Sequence, residues 1–462
     1  MRFLIRALLV LILLAAVAAG GAYFVAGRMP GPSIAIDKPA KFVGLTTPFE
    51  VTVTAPEAKL SQLQVVLEQN GKQMPIYATN APGKAQVNQE GDRVKITGEI
   101  GKQLLPDLQS GAARIVVTAA RPVMRNIRTI TSSASHDIQV RLERPRVSVL
   151  STFHYVNLGG TEMVVYKATP DDVQSGVQIG DVEYPGFPAS GATVEGVKIT
   201  DPTVHVAFFA LLYDQDINVP MRVFARDEAG NSARADFDHR TFPKPFKRSR
   251  IELDDKFLDR VVPAILEGSS NEVKADGDNL AKFLVINGEL RRKNAEKIAA
   301  LAKQTAPEML WRGVVFHPFT NSAVESAFAD ARTYLYKGKE VDKQTHLGFD
   351  LASIAGNPVV AANRGKVLYA DDLGIYGNCV IVDHGMGVQS LYAHLSSIDV
   401  KPGDTVEKEQ TLGRSGMTGL AGGDHLHFTM LVNGHMVNPV EWWDSHWIQD
   451  RILRKLRAAG TS

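Results

Sequence analysis

Thr345-His346-Leu347-Gly348-Phe349-Asp350 and, well downstream, Asp424-His425-Leu426-His427-Phe428 decide how this chain is read, with Tyr392-Ala393-His394-Leu395 between them. Imidazoles and a carboxylate with no thiolate nearby are the donor types of a catalytic zinc site. Three protein ligands there leave a fourth position open for water. In a strand, residues two apart point to the same face and lie about 6.6 Å apart. His425 and His427 would then look into one cleft while Leu426 points into the core. His346 and Asp350 need a bend, because four residues of ideal strand span about 13 Å and one zinc ion has bonds of about 2.0–2.2 Å. Gly348 permits the unusual backbone angles such a bend calls for. The spacing predicts His346 in a loop entering a strand that carries Asp350. His394 ends an alternating segment that begins near Val380. No HExxH helix occurs, which excludes the usual helical zinc-protease design. The general base must come from elsewhere, and spare histidines are the candidates.

Working outward, the other histidines (136, 154, 205, 239, 317, 384, 435 and 446) read as structural, with His384 in Asp383-His384-Gly385 a turn residue. The single cysteine, Cys379, rules out an intramolecular disulfide and any zinc site built on several thiolates. With 462 residues the chain has room for roughly three domains. Its net charge of +1 gives no global pull toward nucleic acid, and no nucleic-acid partner is expected.

The N-terminus points outside the cytoplasm. Arg2 and Arg6 precede an uncharged apolar run from Ala7 to Gly27, 21 residues, that ends at Arg28. About 20 residues cross a bilayer as a helix, and a signal-peptide core is shorter. Residues 1–28 therefore read as a single-pass signal-anchor, its N-terminus cytoplasmic and the rest of the chain outside the cytoplasm. Ala16-Val17-Ala18 could serve as a cleavage site, which keeps a cleaved, secreted form open.

Residues 29–40 read as a linker, and 41–142 as a β-sandwich of short alternating strands with a hairpin signal at Asn70-Gly71. A second β-sandwich is expected over 143–243. Its Asp227-Glu228-Ala229-Gly230-Asn231 turn resembles the last hairpin of immunoglobulin-like domains. Residues 244–306 read as a helical connector: a basic, proline-containing joint at 244–250, then helical periodicity from Leu253 with Leu253, Phe257, Leu258, Val261, Val262 and Ile265 on one face and Asp278 and Asn287 at helix starts or ends. This reads as a small connector without chemistry. Strands and glycine-rich turns return over 307–443. The tail, 444–462, is an amphipathic helix with Trp447, Ile448, Ile452, Leu453 and Leu456 inward and Arg451, Arg454, Lys455 and Arg457 outward. The fold class is thus multidomain and mainly β.

His346-x-Gly348-x-Asp350, Tyr392-Ala393-His394 and His425-Leu426-His427 match, in order, the motifs of the lysostaphin-like M23 family of zinc metallopeptidases, which residues 307–443 resemble. Tyr376-Gly377-Asn378, Val400 to Val406, Ser415 to Gly419 and Asn438-Pro439 fall where that family places similar segments. Upstream, Ser326-Ala327-Phe328-Ala329-Asp330-Ala331-Arg332 looks like the family's Ser-x-Phe-Gly-x-x-Arg lead-in, with Ala329 in place of glycine. That departure is expected to alter a turn at the cleft entrance and to touch no ligand.

The resemblance implies an antiparallel β-sheet core with a cleft. It implies one Zn2+ per chain, bound by His346, Asp350 and His427, with His394 and His425 as the unligated catalytic pair. It also implies endopeptidase cleavage of peptide cross-links in bacterial peptidoglycan, where one of the pair takes the proton of a zinc-activated water and the other stabilises the oxyanion. Either split of roles is consistent with the residues. A catalytically inactive regulator of other cell-wall hydrolases is the alternative, and the β domains leave room for a regulatory protein partner. A third reading takes Val400 to Gly413 as a lipoyl-type hairpin, which needs no metal and leaves the histidines unexplained.

Overall fold

The computed structural model describes residues 2–192, 194–312 and 314–460; Met1 of the expected anchor, Thr193, Gly313 and the end of the expected tail, 461–462, lie outside the described residues. Arg2–Ala26 is one helix, rich in leucine and alanine and free of proline. Among the described residues, Phe3–Ala26 is the one helix long and apolar enough to cross a membrane, and of its residues Ala26 alone is buried.

The chain divides into two compact units, residues 1–145 with 226–232, and 146–225 with 233–462. The first holds a four-stranded sheet (Ser33–Lys38, Thr47–Thr54, Arg93–Ile100, Gln86–Glu90) and a five-stranded one (Phe42–Val43, Arg128–Val140, Gly111–Val123, Gln62–Gln69, Lys72–Ala78). Val51, Val53 and Ile96 of one sheet and Val65, Leu67 and Val117 of the other are fully buried in a common core. The hairpin at Asn70-Gly71 forms with both residues at positive φ, 51° and 76°, as a type I′ turn requires. The linker expected over 29–40 needs correction: Ser33–Lys38 pairs antiparallel with Thr47–Thr54. Ile34 and Ile36 alternate with polar residues, and that period-two pattern suits an edge strand.

In the second unit the second β block is not free-standing. Its buried Met163, Val165, Phe208 and Phe209 belong to the same hydrophobic core as Trp311, Phe316, Phe428 and Trp442 of the peptidase-like region. Polar contacts reinforce the junction, where Glu441 accepts from Asn157 Nδ2 and from the Thr161 amide, each at 2.7 Å. The tail helix also departs from expectation at Lys455. This residue is buried, and its ammonium donates to Glu162 Oε1 at 2.7 Å and to the Met163 carbonyl at 2.8 Å.

The joint expected at 244–250 is not a plain linker, because the connector begins with a strand. Arg248–Leu253 runs parallel to Asp330–Tyr336, which pairs antiparallel with Lys339–His346. Asp254 then caps Asp255–Ser269, and Asp278 caps Asn279–Val285, each carboxylate accepting a backbone N–H. Asn287, expected at a helix end, is instead buried inside a wide π turn, Ile286–Leu290, that feeds Arg291–Ala302. The region from 307 onward is built on a large sheet ordered Ala323–Ser326, Phe349–Ala352, Leu426–Val432, Val388–Leu395, Asn378–Asp383, Gly365–Asp372, Thr405–Val406, with His435–Val437 also on Leu426–Val432. Every pairing in it is antiparallel.

Candidate active site

Strand register assembles the site. Asp350 lies directly opposite His427, and Ala393, next to His394, faces His427 from the other flank. Facing pairs in an antiparallel sheet bring side chains to about 5 Å, so two donors of the cluster meet through the ladder alone. His346 arrives differently from the expected loop. It is the last residue of Lys339–His346, and the chain turns at Leu347-Gly348 before Phe349–Ala352 begins. The break folds His346 back onto Asp350.

Gly348 serves a purpose other than the predicted one. Its φ is not in the left-handed region. A Cβ there would lie 2.4 Å from His427 Nε2 and 3.0 Å from the Phe428 carbonyl oxygen. The position is glycine because the His427 ring occupies the space a side chain would take.

The result is a triangle of donor atoms. His346 Nε2 stands 2.9 Å from Asp350 Oδ1 and 3.0 Å from His427 Nδ1, and His427 Nδ1 is 3.0 Å from Asp350 Oδ1. All three residues are buried, and together they could hold a metal ion. His346 Nδ1 donates to the Ala327 carbonyl at 3.2 Å, so in the neutral ring Nε2 is a bare lone pair aimed at the triangle. Two lone-pair nitrogens and a carboxylate this close repel unless a cation sits among them. The edges approach the roughly 3.3 Å separation of ligands around a tetrahedral ion with bonds near 2.0 Å, and the donor set suits zinc.

Arg332, from the lead-in segment, completes the setting of Asp350. Its Nη2 donates to Asp350 Oδ2 at 3.0 Å and to Ser326 Oγ at 2.8 Å, leaving Oδ1 to the triangle. Burial opposes ionisation of Asp350, but the neighbouring imidazoles of His346, His425 and His427 outweigh it and hold the carboxyl well below the usual range. Ala329 keeps the conformation its position demands, with φ 62°, and its amide donates to the His346 carbonyl at 2.7 Å. Alanine there holds a left-handed conformation that a Cβ disfavours.

His394 and His425 stand beside the triangle with ring centroids 4.9 Å apart. His394 sits at φ 63° where the ladder to Asn378–Asp383 shifts register, a kink that re-aims its ring. Its Nδ1 donates to the Thr418 carbonyl at 2.7 Å, and His425 Nδ1 donates to the Gly423 carbonyl at 2.9 Å. Burial, then the neighbouring His425 and His427, hold His394 well below the usual imidazole value. For His425, burial works downward, but Asp350, 3.4 Å from its Nε2, outweighs it and raises the value. Burial pulls His427 down to about 4. Both spare rings therefore present Nε2 to a cleft of about 450 Å3 that is also lined by Ile251, Leu253 and Phe257 of the connector. The connector, read from sequence as carrying no chemistry, walls the site.

The sequence assigns no role to Ser326, which bonds Arg332 and His346 behind the site, or to Arg332, Tyr376 and Arg291, which line the cleft. The lead-in motif was the signal for the first two. Nothing local to the helical segment marks Arg291.

Residues 344–439 match Peptidase family M23. DD-carboxypeptidase/endopeptidase Mpg of Neisseria meningitidis serogroup B is 41% identical over 95 residues, 21% of this chain and 22% of the relative. Peptidoglycan DD-endopeptidase ShyA of Vibrio cholerae serotype O1 is 29% identical over 167 residues, 36% of this chain and 35% of the relative. The similarity thus spans 22% and 35% of these relatives' own lengths. Among solved structures, a peptidase M23 from Pseudomonas aeruginosa aligns over 61% of this chain and 92% of that one, at 22% identity and a TM-score of 0.38. The catalytic domain of lysostaphin from Staphylococcus simulans aligns over 26% of this chain and 90% of that one, at 29% identity and a TM-score of 0.23. The chain carries a peptidase family M23 domain, and His346, Asp350, His394, His425 and His427 all lie within the matched residues.

Proposed function

We propose that this chain is a zinc-dependent endopeptidase that hydrolyses peptide cross-links of bacterial peptidoglycan, anchored in the inner membrane by Arg2–Ala26 with its M23 domain in the periplasm. The observation that carries the reading is the buried triangle of His346 Nε2, Asp350 Oδ1 and His427 Nδ1, with edges of 2.9, 3.0 and 3.0 Å. These three atoms would hold one zinc ion. When bound, zinc polarises the scissile carbonyl and lowers the pKa of water toward about 7.

The other residues take roles that their surroundings favour. His394 is kept neutral by burial, and its Nδ1–H is committed to the Thr418 carbonyl, so its Nε2 can accept the proton of the attacking water. His425, whose charged form Asp350 favours, presents Nε2–H to the developing oxyanion. Arg332 keeps Asp350 ionised and in place. The apolar Phe257 and Leu253 bound the cleft and exclude water from one side of a bound peptide. The names of the relatives, peptidoglycan endopeptidases among them, support the substrate. The two β blocks fit immunoglobulin-like sandwiches that space the peptidase from the membrane or dock a regulatory protein.

Full-length protein incubated with purified peptidoglycan, with and without a chelator, tests the proposal. Muropeptide release that the chelator stops and zinc restores is the expected result. No release with zinc present would favour an inactive regulator of other hydrolases, and chelator-insensitive release would remove the metal. Mass analysis of defined cross-linked muropeptides then identifies the bond cleaved.

A further inference from the structure

A second cavity, of about 630 Å3, lies against the triangle and shares His346, His427, Arg332, Tyr376 and Arg291 with the cleft described above. A peptide laid across the triangle therefore runs from one cavity into the other. The two arms differ in charge. Beside the shared Arg291 and Arg332, the cleft arm has an apolar wall and two carboxylates, Glu325 and Asp350. The second arm is lined by Arg248, Arg291, Arg292 and Lys343 besides Arg332, and no acidic side chain lines it.

Arg291 is held in position. Buried Asn287 donates from Nδ2 to Asp342 Oδ2 at 2.7 Å and accepts from Arg291 Nη2 through Oδ1, and Arg291 Nε donates to the Asn287 carbonyl at 3.2 Å. The π turn that contains Asn287 makes this relay, and such turns recur at functional sites. Arg248 has no ion pair or side-chain hydrogen bond among the described residues. Arg292 and Lys343 pair only with exposed Glu296 and Glu340. Exposed pairs of that kind are worth little, so a ligand carboxylate can replace them.

We infer that this arm is an anionic subsite that binds free carboxylates of the peptide substrate on one side of the scissile bond, with Arg291 as the positioned guanidinium and Arg248, Arg292 and Lys343 as its charged rim. Guanidinium groups suit this task because their fork matches both oxygens of a carboxylate. The inference rests on the peptidase reading for what the ligand is, and it would deepen that reading by making substrate charge a determinant of specificity.

The test uses zinc-loaded full-length protein and uncross-linked stem peptides, which contain no cross-link to cut, with their carboxylates either free or amidated. Calorimetry at one fixed ionic strength should show about tenfold tighter binding of the free form. R291Q/R292Q/K343Q should abolish the preference, and K343E alone, at an exposed position, should reduce it. Equal affinities in the unsubstituted protein, or a preference that survives the triple substitution, would overturn the subsite. Failure of the peptidase reading looks different: cross-linked muropeptides stay intact while the carboxylate preference persists.

Discussion

Before the strand Val388–Leu395 begins lies His384, and near its end lies His394, with His427 on the adjoining strand; all three rings are buried. Burial draws His384 and His427 alike down to about 4. Their partners differ. His384 Nδ1 donates to the Arg364 carbonyl at 2.8 Å, and its Nε2 meets Ser390 Oγ at 2.7 Å, so both nitrogens are satisfied by neutral groups. His427 Nδ1 points at another histidine and a carboxylate, while its Nε2 is buried without a hydrogen-bond partner. Burial and a depressed pKa are common to both ends of the strand. Convergence of ligand-type atoms on one another, rather than pairing with neutral groups, distinguishes a candidate metal site from a structural histidine.

The comparison breaks most sharply on metal content. His346→Ala or Asp350→Ala should lose zinc and all turnover, His394→Ala should keep zinc and lose turnover by a factor of about 10²–10⁴, and His384→Gln should keep both. Metal analysis of the purified variants decides this, and full zinc in His346→Ala would remove the ligand assignment.

The His384 end should register in stability. Its folded pKa, about 4, lies below the unfolded value of 6.5, so the unfolded ring takes up its proton first as pH falls. The stabilisation is complete above about pH 6.5 and is lost as pH drops through about 4, on the order of 3 kcal/mol. Denaturant unfolding across that range should show a shallower pH slope for His384→Gln than for the unsubstituted protein. Identical slopes would mean that the His384 ring is not held neutral.

Smaller effects should separate the two sides of the triangle. Gly348→Ala pushes a Cβ against His427, and Arg332→Gln releases Asp350 Oδ2. Each should weaken zinc binding by about 10–100-fold, as substitutions behind metal ligands do. Competition with a zinc indicator measures it, and unchanged affinity in both would mean that the triangle does not depend on these supports. The smallest expected change is a gain. Ala329→Gly relieves a left-handed alanine and should raise unfolding stability by about 0.5–1 kcal/mol, net of the added freedom of the unfolded chain.

Local patterns were legible where the physics is local. The apolar run at the N-terminus forms a helix because leucine and alanine, strong helix formers, dominate it and no proline interrupts it. Asn70-Gly71 forms its hairpin because both residues tolerate positive φ. Ser33–Lys38 was missed because Pro30, Gly31 and Pro32 drew attention from the Ile34 and Ile36 alternation beside them. Lys455 was misjudged because its partner, Glu162, comes from a distant strand.

The amino-acid sequence by itself determined the donor chemistry of this protein: four imidazoles, one carboxylate and no thiolate in spaced motifs, with His425 and His427 two residues apart. Tertiary structure alone decided which atoms meet. Strand register sets Asp350 against His427, the ring of His427 dictates glycine at 348, and a helix turn distant in sequence brings Arg291 to the cleft. The reason is physical. Side-chain direction along one strand follows from a period of two, whereas distances between strands depend on a pairing that no single segment specifies.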